Sequence, residues 1–367
     1  MNPSIQCWCG NRKLTPFTPS YLRCEDCSTL VSSILASAFS SGALRAESHY
    51  DHDYWFSHQT EDLHLPDIIQ RSRLDLPERC LYWLRTLLRH KVPPARVLEL
   101  GSGHGGFLAL LRWAGFEATG LEVDPWVVEF AQKTFAIPML VGEVERKGLP
   151  PESLDVIILM DVLEHLASPL ETVRHCLSLL RPEGLLVVQT PKYPGGKTHE
   201  DLVAEGSPFL KMLMEKEHSF LFSESAVRKL LGQSGAPYLQ FEPPIFPYDM
   251  FLLASRGPIQ EIPPEQEETC LAASPEQRMV QALLDLDQER TGILERYSVA
   301  EADRAARLEQ VNRLTQLLRE AEADRTARLE QINQLTQLLR ESEADRAARL
   351  DQIKKLTALI RRSEKGD

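Results

Sequence analysis

The stretch Val97-Leu-Glu-Leu-Gly-Ser-Gly-His-Gly-Gly-Phe107 constrains this chain more than any other. A short apolar run reaches an acid, glycines crowd the next positions, and an apolar helical pattern follows. Glycine lacks a Cβ, so the backbone turns sharply there and a ligand can approach the main chain. A strand, a glycine loop and a helix in that order put the loop at the carboxyl end of a strand, where open α/β sheets bind nucleotides. The Gly-x-Gly-x-x-Gly spacing alone does not distinguish a dinucleotide from another nucleoside-bearing cofactor.

The surrounding pattern supports such a sheet. Val97–Leu100, Ala118–Val123, Met139–Val141, Val156–Leu159 and Leu185–Val188 are short runs rich in Val, Ile and Leu, mostly separated by helical patterns. Near-continuous apolar strands alternating with helices predict a parallel sheet covered on both faces. Ser223 caps a further helix to about Leu231, and Tyr238–Glu242 with Met250–Ala254 reads as a terminal strand pair. Ahead of the sheet, apolar residues at helical spacing run from Asp67 to Leu88, and Pro93-Pro94 ends that region.

Three features narrow the ligand, Glu99, Gly142-Glu143 and the Asp161–Leu166 run, whereas Glu122 would serve a dinucleotide equally. Glu99 lies just before the glycines, where it would meet an amino group rather than a pyrophosphate. Glu122 ends the second strand, placed to accept hydrogen bonds from two ribose hydroxyls. Gly142-Glu143 follows the third strand, and Asp161-Val-Leu-Glu-His-Leu166 ends the fourth, with Arg181-Pro-Glu-Gly-Leu185 leading into the fifth.

On Glu-Leu-Gly-x-Gly-x-Gly, the strand-end acid Glu122, Val-Leu-Glu-His and Arg-Pro-x-Gly, the chain resembles the class I S-adenosylmethionine (SAM)-dependent methyltransferases. It is particularly similar to the group that includes ubiquinone-biosynthesis O-methyltransferases. The resemblance covers about residues 73–256. It implies an α/β fold with a Rossmann-like seven-stranded sheet of order 3-2-1-4-5-7-6. It also implies that Glu99, Gly101, Gly103 and Gly105 frame the methionine part of SAM, Glu122 the ribose, and Glu143 with Val144 the adenine. Met160 and Asp161 would line the sulfonium side.

Cys7-x-Cys9-Gly and Cys24-x-x-Cys27 form two close pairs, and four thiolates in two short knuckles suit a closed, structural zinc site. Free or redox-active thiols are the alternative. Sugar methyltransferases with a cysteine-rich N-terminal element look similar, and there that element flanks the substrate entrance. Tyr50-Asp-His-Asp-Tyr-Trp-Phe56 reads either as an acceptor-pocket wall or as a plug packing the N-terminal element on the main domain. Arg71 and Arg73 read either as groups that reach a carboxylate or phosphate or, the preferred reading, as solvated residues on a helix. The weakly apolar run Leu30 to Phe39, broken by serines, reads as a buried segment.

A hydroxyl acceptor benefits from a base near neutral pKa, which suits histidine. His165 lies at the end of the fourth strand, and His218, preceded by Glu217, lies in the insertion after the fifth. The Glu217-His218 pair resembles the catalytic histidine region of nucleotide-sugar C-methyltransferases, although Lys211 and Lys216 surround it here and their large C-terminal domain is replaced by a helix. His165, Glu217 and His218 are therefore the catalytic candidates.

Residues 257–274 read as a proline- and acid-rich linker. Beyond it Glu-Ala-Asp-Arg begins at Glu301, Glu322 and Glu343, a step of 21 residues, or three heptads. Leu308, Val311, Leu314, Leu317 and Leu318 recur in each copy, so residues 275–363 form a helix on the order of 130 Å long with an apolar stripe. Self-association or a partner helix in a coiled coil is the expectation; a solvated helix laced with ion pairs is the alternative.

The domain layout expected is thus a cysteine-rich element with the aromatic segment (1–60), a methyltransferase domain (61–256), the linker, and the coiled-coil helix. The formal net charge of −12 argues against a phosphate-backbone binder, so no nucleic-acid partner is expected. No run reaches the roughly 18 apolar residues a membrane helix needs, and no signal-peptide pattern stands at the N-terminus. The seven cysteines suit a reducing compartment, so a cytoplasmic protein is expected. These readings imply methyl transfer to a hydroxyl of a sugar, a polysaccharide precursor or a similar polar small molecule. C- or N-methylation of a small molecule and a non-catalytic SAM-binding scaffold are the alternatives.

Overall fold

The computed structural model describes residues 5–41, 52–62 and 64–363. Tyr50 and Asp51 of the aromatic segment lie outside them. Two compact units divide the chain, Met1–Gln288 and Glu289–Asp367.

The first unit opens with a small antiparallel sheet of β1 (Leu14–Pro16), β2 (Tyr21–Cys24) and β3 (Leu30–Ser32). The run that begins at Leu30 continues as a helix over Ser33–Ser41, with Leu30, Val31 and Leu35 buried as expected. The main sheet contains β4 (Arg96–Leu100), β5 (Glu117–Glu122), β6 (Met139–Val141), β7 (Leu154–Met160) and β8 (Leu180–Pro191). After β9 (Phe220–Leu221) come β10 (Tyr238–Glu242) and β11 (Asp249–Ser255). Neighbours in the seven-stranded sheet run β10-β11-β8-β7-β4-β5-β6. Counted along the chain this is 6-7-5-4-1-2-3, the expected order viewed from the opposite edge. The strands β4 to β8 are parallel, with Val97 opposite Val156 and Leu98 opposite Thr119, and β11 and β10 add antiparallel.

Alternation along each strand distributes side chains to two faces. Leu98, Leu100, Ile157, Leu159 and Val188 pack with the helices Pro169–Leu179 and Glu224–Ser234. Val97, Val156, Ile158 and Val187 pack with the helices Leu81–Leu88 and Gly106–Trp113. With both faces covered, Val156 to Leu159 are all at 0% exposure, which is why β7 reads as an uninterrupted apolar run.

Two elements differ from expectation. The helical region before the sheet is not continuous: Ile68–Asp75 and Leu81–Leu88 flank a π-helical turn, Leu76–Cys80, which holds Pro77, a residue without an N–H for the helical ladder. Asp67 caps its start by accepting from the Gln70 N–H at 2.7 Å. The proline- and acid-rich stretch contains a helix, Pro264–Leu271, whose Leu271 is buried against the Leu81–Leu88 face. The helix Pro275–Ser363 begins on the same surface, where Val280 and Leu284 are buried and Gln277 Nε2 donates to the Ala114 carbonyl at 3.1 Å.

In the second unit the helix carries (i, i+4) ion pairs at each repeat, Arg307–Asp303, Arg328–Asp324 and Arg349–Asp345, at 2.7, 2.7 and 2.8 Å. Its apolar stripe, Leu308 to Ile360, is exposed at half or more of each side chain. No helix among the described residues is long and apolar enough to cross a membrane.

Candidate active site

The glycine loop joins β4 to the helix Gly106–Trp113 at the carboxyl edge of the sheet. Gly101, Gly103 and Gly105 have φ of +64°, +49° and +81°, a region L side chains avoid. At Gly105 a Cβ would also lie 2.4 Å from Ile137 Cδ1, so the loop requires glycine there for space as well. Against this loop Glu122 accepts from the Gly103 N–H at 3.1 Å and the Val123 N–H at 2.7 Å.

Glu99 lies in β4, two residues before Gly101. It is 4% exposed, and its Oε2 has no hydrogen-bond partner. Burial, with the charge of Glu122 beside it, pushes its carboxyl up to about 8. A buried carboxylate oxygen without a partner is costly and uncommon, and a ligand ammonium would satisfy it. Burial also raises the Glu122 carboxyl above its ordinary range.

Glu143 stands after β6, its carboxylate 3.0 Å from Arg146 Nε, and Val144 beside it is buried. Met160 is buried at the end of β7. Asp161 next to it is a non-glycine residue at φ +55°, held by the Gln189 amide at 3.0 Å and by Arg79 at 3.5 Å. Strained backbone at a strand end persists where the surroundings over-determine it, as at ligand sites.

Several site residues carried no signal in the sequence. Arg79, in the π-helical turn, lies over the Trp83 and Phe246 rings at 5.9 and 5.0 Å, and its Nε has no partner. Asp249, at the start of β11, is pushed up to about 8 by burial and by the charge of Asp161. Beneath the glycine loop, His104 Nδ1 accepts from the Gly106 N–H at 3.0 Å, so Nε2 carries the proton and donates to Asp75 at 3.1 Å. Burial would raise the Asp75 carboxyl, but the His104 hydrogen bond and the charges of Arg71 and Arg79 outweigh it and bring it down to about 2. Arg71 is therefore not a solvated residue: it pairs with buried Asp75 at 3.1 Å and lies 5.5 Å from the Trp55 ring centre. Only a fold that brings residue 75 beside residue 104 reveals this.

The described part of the aromatic segment packs on the main domain, the plug of the two expected uses. A π-helical stretch, Tyr54–Asp62, places Trp55 beside Gly103, with its buried Nε1 unpartnered. His52 and Phe56 pack on Trp126 at 5.0 and 5.8 Å, as a plug would. Tyr54 donates to Glu217 Oε2 at 3.1 Å, and His58 Nε2 meets Glu217 Oε1 at 2.9 Å. Glu217 thus holds the aromatic segment through its side chain.

The histidines come together. The His165 and His218 rings are 5.0 Å apart. His165 Nδ1 donates to the Glu217 carbonyl and His218 Nδ1 to the Met212 carbonyl, each at 2.8 Å, which leaves Nε2 of each ring as the acceptor nitrogen. Burial, then the neighbouring His165, lowers His218 to about 3, so it is neutral at physiological pH. Glu164 Oε2 accepts from Thr190 at 2.8 Å, and burial holds its carboxyl above the usual range. Glu164, His165 and His218 present ligand atoms within 4.8 Å of one another.

The four cysteines also converge: Sγ atoms of Cys7 and Cys27 are 3.5 Å apart, those of Cys9 and Cys24 3.6 Å, and all four lie within 4.8 Å.

Residues 72–240, which span the glycine loop, the strand-end acids and both histidines, match a methyltransferase-domain family. By this match the region is a methyltransferase domain. The ubiquinone biosynthesis O-methyltransferase of Xanthomonas campestris is 32% identical over 108 residues, 28% of this chain and 45% of that protein. A probable SAM-dependent methyltransferase of Mycolicibacterium smegmatis is 30% identical over 117 residues, 30% of this chain and 46% of that one. The trans-aconitate 2-methyltransferase of Escherichia coli is 34% identical over 97 residues, 26% of this chain and 38% of the enzyme. The chain thus spans less than half the length of these curated relatives. Among solved structures, a SAM-dependent methyltransferase from Archaeoglobus fulgidus has 17% identity and a TM-score of 0.39, covering 48% of this chain and 93% of that one. The methyltransferase domain here carries the N-terminal cysteine sheet and the C-terminal helix outside the matched residues.

Proposed function

We propose that this chain is a SAM-dependent methyltransferase that transfers a methyl group to a hydroxyl of a sugar, a polysaccharide precursor or another polar small molecule. The observation that carries the donor site is the buried, unpartnered Glu99 oxygen beside left-handed Gly101, Gly103 and Gly105. In this reading Glu99 receives the ammonium of the methionine moiety, Arg79 its carboxylate, Glu122 the ribose hydroxyls, and Glu143 with Val144 the adenine. Met160 and Asp161 line the sulfonium side. Bound there, SAM supplies an activated methyl group on a sulfonium centre.

The protein's work is then alignment and proton handling. His165 is the base we assign: its Nε2 is the acceptor nitrogen, and its side chain is 22% exposed, against the more buried His218. His165 takes the acceptor hydroxyl proton at Nε2, while the Glu217 carbonyl fixes its ring through Nδ1. His218 supports that ring, and Glu217 ties Tyr54 and His58 over the site. Titration with SAM followed by mass-shift screening of sugars, nucleotide sugars and polar hydroxy compounds tests this. Absence of SAM binding would refute the donor site, and a product methylated on carbon or nitrogen would refute the O-transfer reading.

Two accessory roles belong to the same proposal. Cys7, Cys9, Cys24 and Cys27 hold a structural zinc ion, since tetrahedral Zn–S bonds of about 2.3 Å put sulfurs about 3.8 Å apart, close to the pair spacings here. The exposed stripe of the second unit covers itself by association in a coiled coil, which presents the same face every 21 residues.

A further inference from the structure

The segment that bears Glu217 and His218 has little regular structure of its own; it is a series of turns between Met214 and β9. Within it the Glu217 and His218 N–H groups both donate to the Met214 carbonyl, at 3.0 and 2.8 Å, and four of its carbonyls are held from outside. Ser32 Oγ donates to the Glu215 carbonyl at 2.6 Å, His165 Nδ1 to that of Glu217, Tyr21 Oη to that of His218 at 3.1 Å, and the Ser32 N–H to that of Ser219 at 3.0 Å. Three of these four bonds come from the cysteine sheet. β3 then extends the hold by pairing antiparallel with β9, Leu30 opposite Leu221 and Val31 opposite Phe220. The route back to the cysteines is short. Cys27 Sγ lies 3.1 Å from Thr29 Oγ1, which also accepts from Trp8 Nε1 at 2.8 Å, and β3 begins at the next residue. Trp8 packs on Phe222 at 6.4 Å, and Lys229 pairs with Asp26 of the second knuckle at 2.6 Å.

We propose that the cysteine knuckles position the Glu217–His218 segment, so that metal occupancy at Cys7, Cys9, Cys24 and Cys27 sets whether the acceptor side of the site is assembled. The inference rests on the zinc reading above. A structural metal adds order to a small three-stranded element whose own apolar residues are few and are buried against the main domain. Without it β3 loses its anchored start, and Ser32 and Tyr21 lose the geometry of their bonds to the segment. The donor side needs none of this, because Glu99, the glycine loop and Glu122 are built on β4 and β5. Ser32 and Tyr21 are thus positioning residues, acting through the carbonyls of residues 215, 218 and 219.

The test uses the full chain. Zinc is quantified in freshly purified protein, then removed with a chelator. Amide hydrogen exchange is followed over residues 214–222 and over 96–100, and SAM affinity is measured by calorimetry. Expected are a rise in exchange of tenfold or more over 214–222, the effect of losing about two hydrogen bonds, with 96–100 and the SAM Kd changed less than twofold. Tyr21→Phe, which keeps the buried ring, and Ser32→Ala should raise exchange over 214–222 in protein that retains its zinc. Unchanged exchange after demonstrated zinc loss overturns the coupling alone. A uniform rise across β4 and β5 overturns it too, since the knuckles would then hold the whole fold. Protein that carries no zinc as purified overturns the metal reading and this inference with it.

Discussion

Replacing Glu99 with Gln exposes the energetic cost of keeping the donor seat ready. Glu99 is 4% exposed, with one oxygen unpartnered and its carboxyl moved from 4.5 to about 8 by burial and by Glu122. One pKa unit corresponds to about 1.4 kcal/mol, so the charged form costs the folded chain about 5 kcal/mol above pH 8 and about 3 kcal/mol at pH 7. The sign follows from a folded-state pKa above the unfolded one. The penalty is absent below pH 4.5, grows as pH rises through the interval, and levels off above about 8. Gln keeps the size and removes the charge, so the SAM-free variant should gain up to about 3 kcal/mol at pH 7 and nothing near pH 4.5. Urea denaturation at a series of pH values reads this directly. SAM affinity should move oppositely, weakening on the order of tenfold to a hundredfold, because the ammonium loses a charge-assisted bond. At pH 7 SAM binding by the parent should release a proton, seen by calorimetry in buffers of different ionisation enthalpy, and binding by the variant should release none. A parent and variant with the same stability across pH, or the same SAM affinity, would refute the argument.

Gly105→Ala forces a left-handed alanine whose Cβ meets Ile137 and Ala131, and a loss of about 2–4 kcal/mol should appear in the same denaturation assay; a parental midpoint would contradict it. His165→Ala should lower turnover of an identified acceptor by about 10²–10⁴ while the SAM Kd stays within twofold, and full turnover would remove His165 as the base. His218→Ala should lower turnover less than His165→Ala does; a larger loss would return the base role to His218. Ending the chain at Gln288 should give a monomer in sedimentation equilibrium where the full chain associates, and a monomeric full chain at tens of micromolar would end the coiled-coil reading.

Strand order came from the resemblance to class I methyltransferases; what the local pattern itself carried was a parallel sheet covered on both faces. The near-continuous apolar run at Val156–Leu159 forces a doubly covered strand. The placement of Glu99, Glu122 and Glu143 was legible because they lie at or close to the carboxyl ends of parallel strands, which meet at one edge of the sheet. Positions related only through packing left no such trace. Arg71 read as a solvated residue because the burial of its partner Asp75, which bonds His104 29 residues further on, is not visible in the local pattern. Arg79 was hidden for the same reason, and the stretch around Pro263 read as a linker because its composition gives no sign that Leu271 finds the Leu81–Leu88 face.

Sequence alone determined that the chain builds a glycine loop between a strand and a helix, flanked by acids, with a cysteine cluster before it and a 21-residue helical repeat after it. Those are properties of residue type and spacing, which fix backbone freedom, charge and periodicity. The tertiary structure decided what surrounds them: Trp55 on the loop, Arg79 beside Asp161, His165 facing His218, and Ser32 and Tyr21 holding the segment that bears Glu217. These join residues up to 197 positions apart, and only the burial of one shared core brings such partners within hydrogen-bond reach.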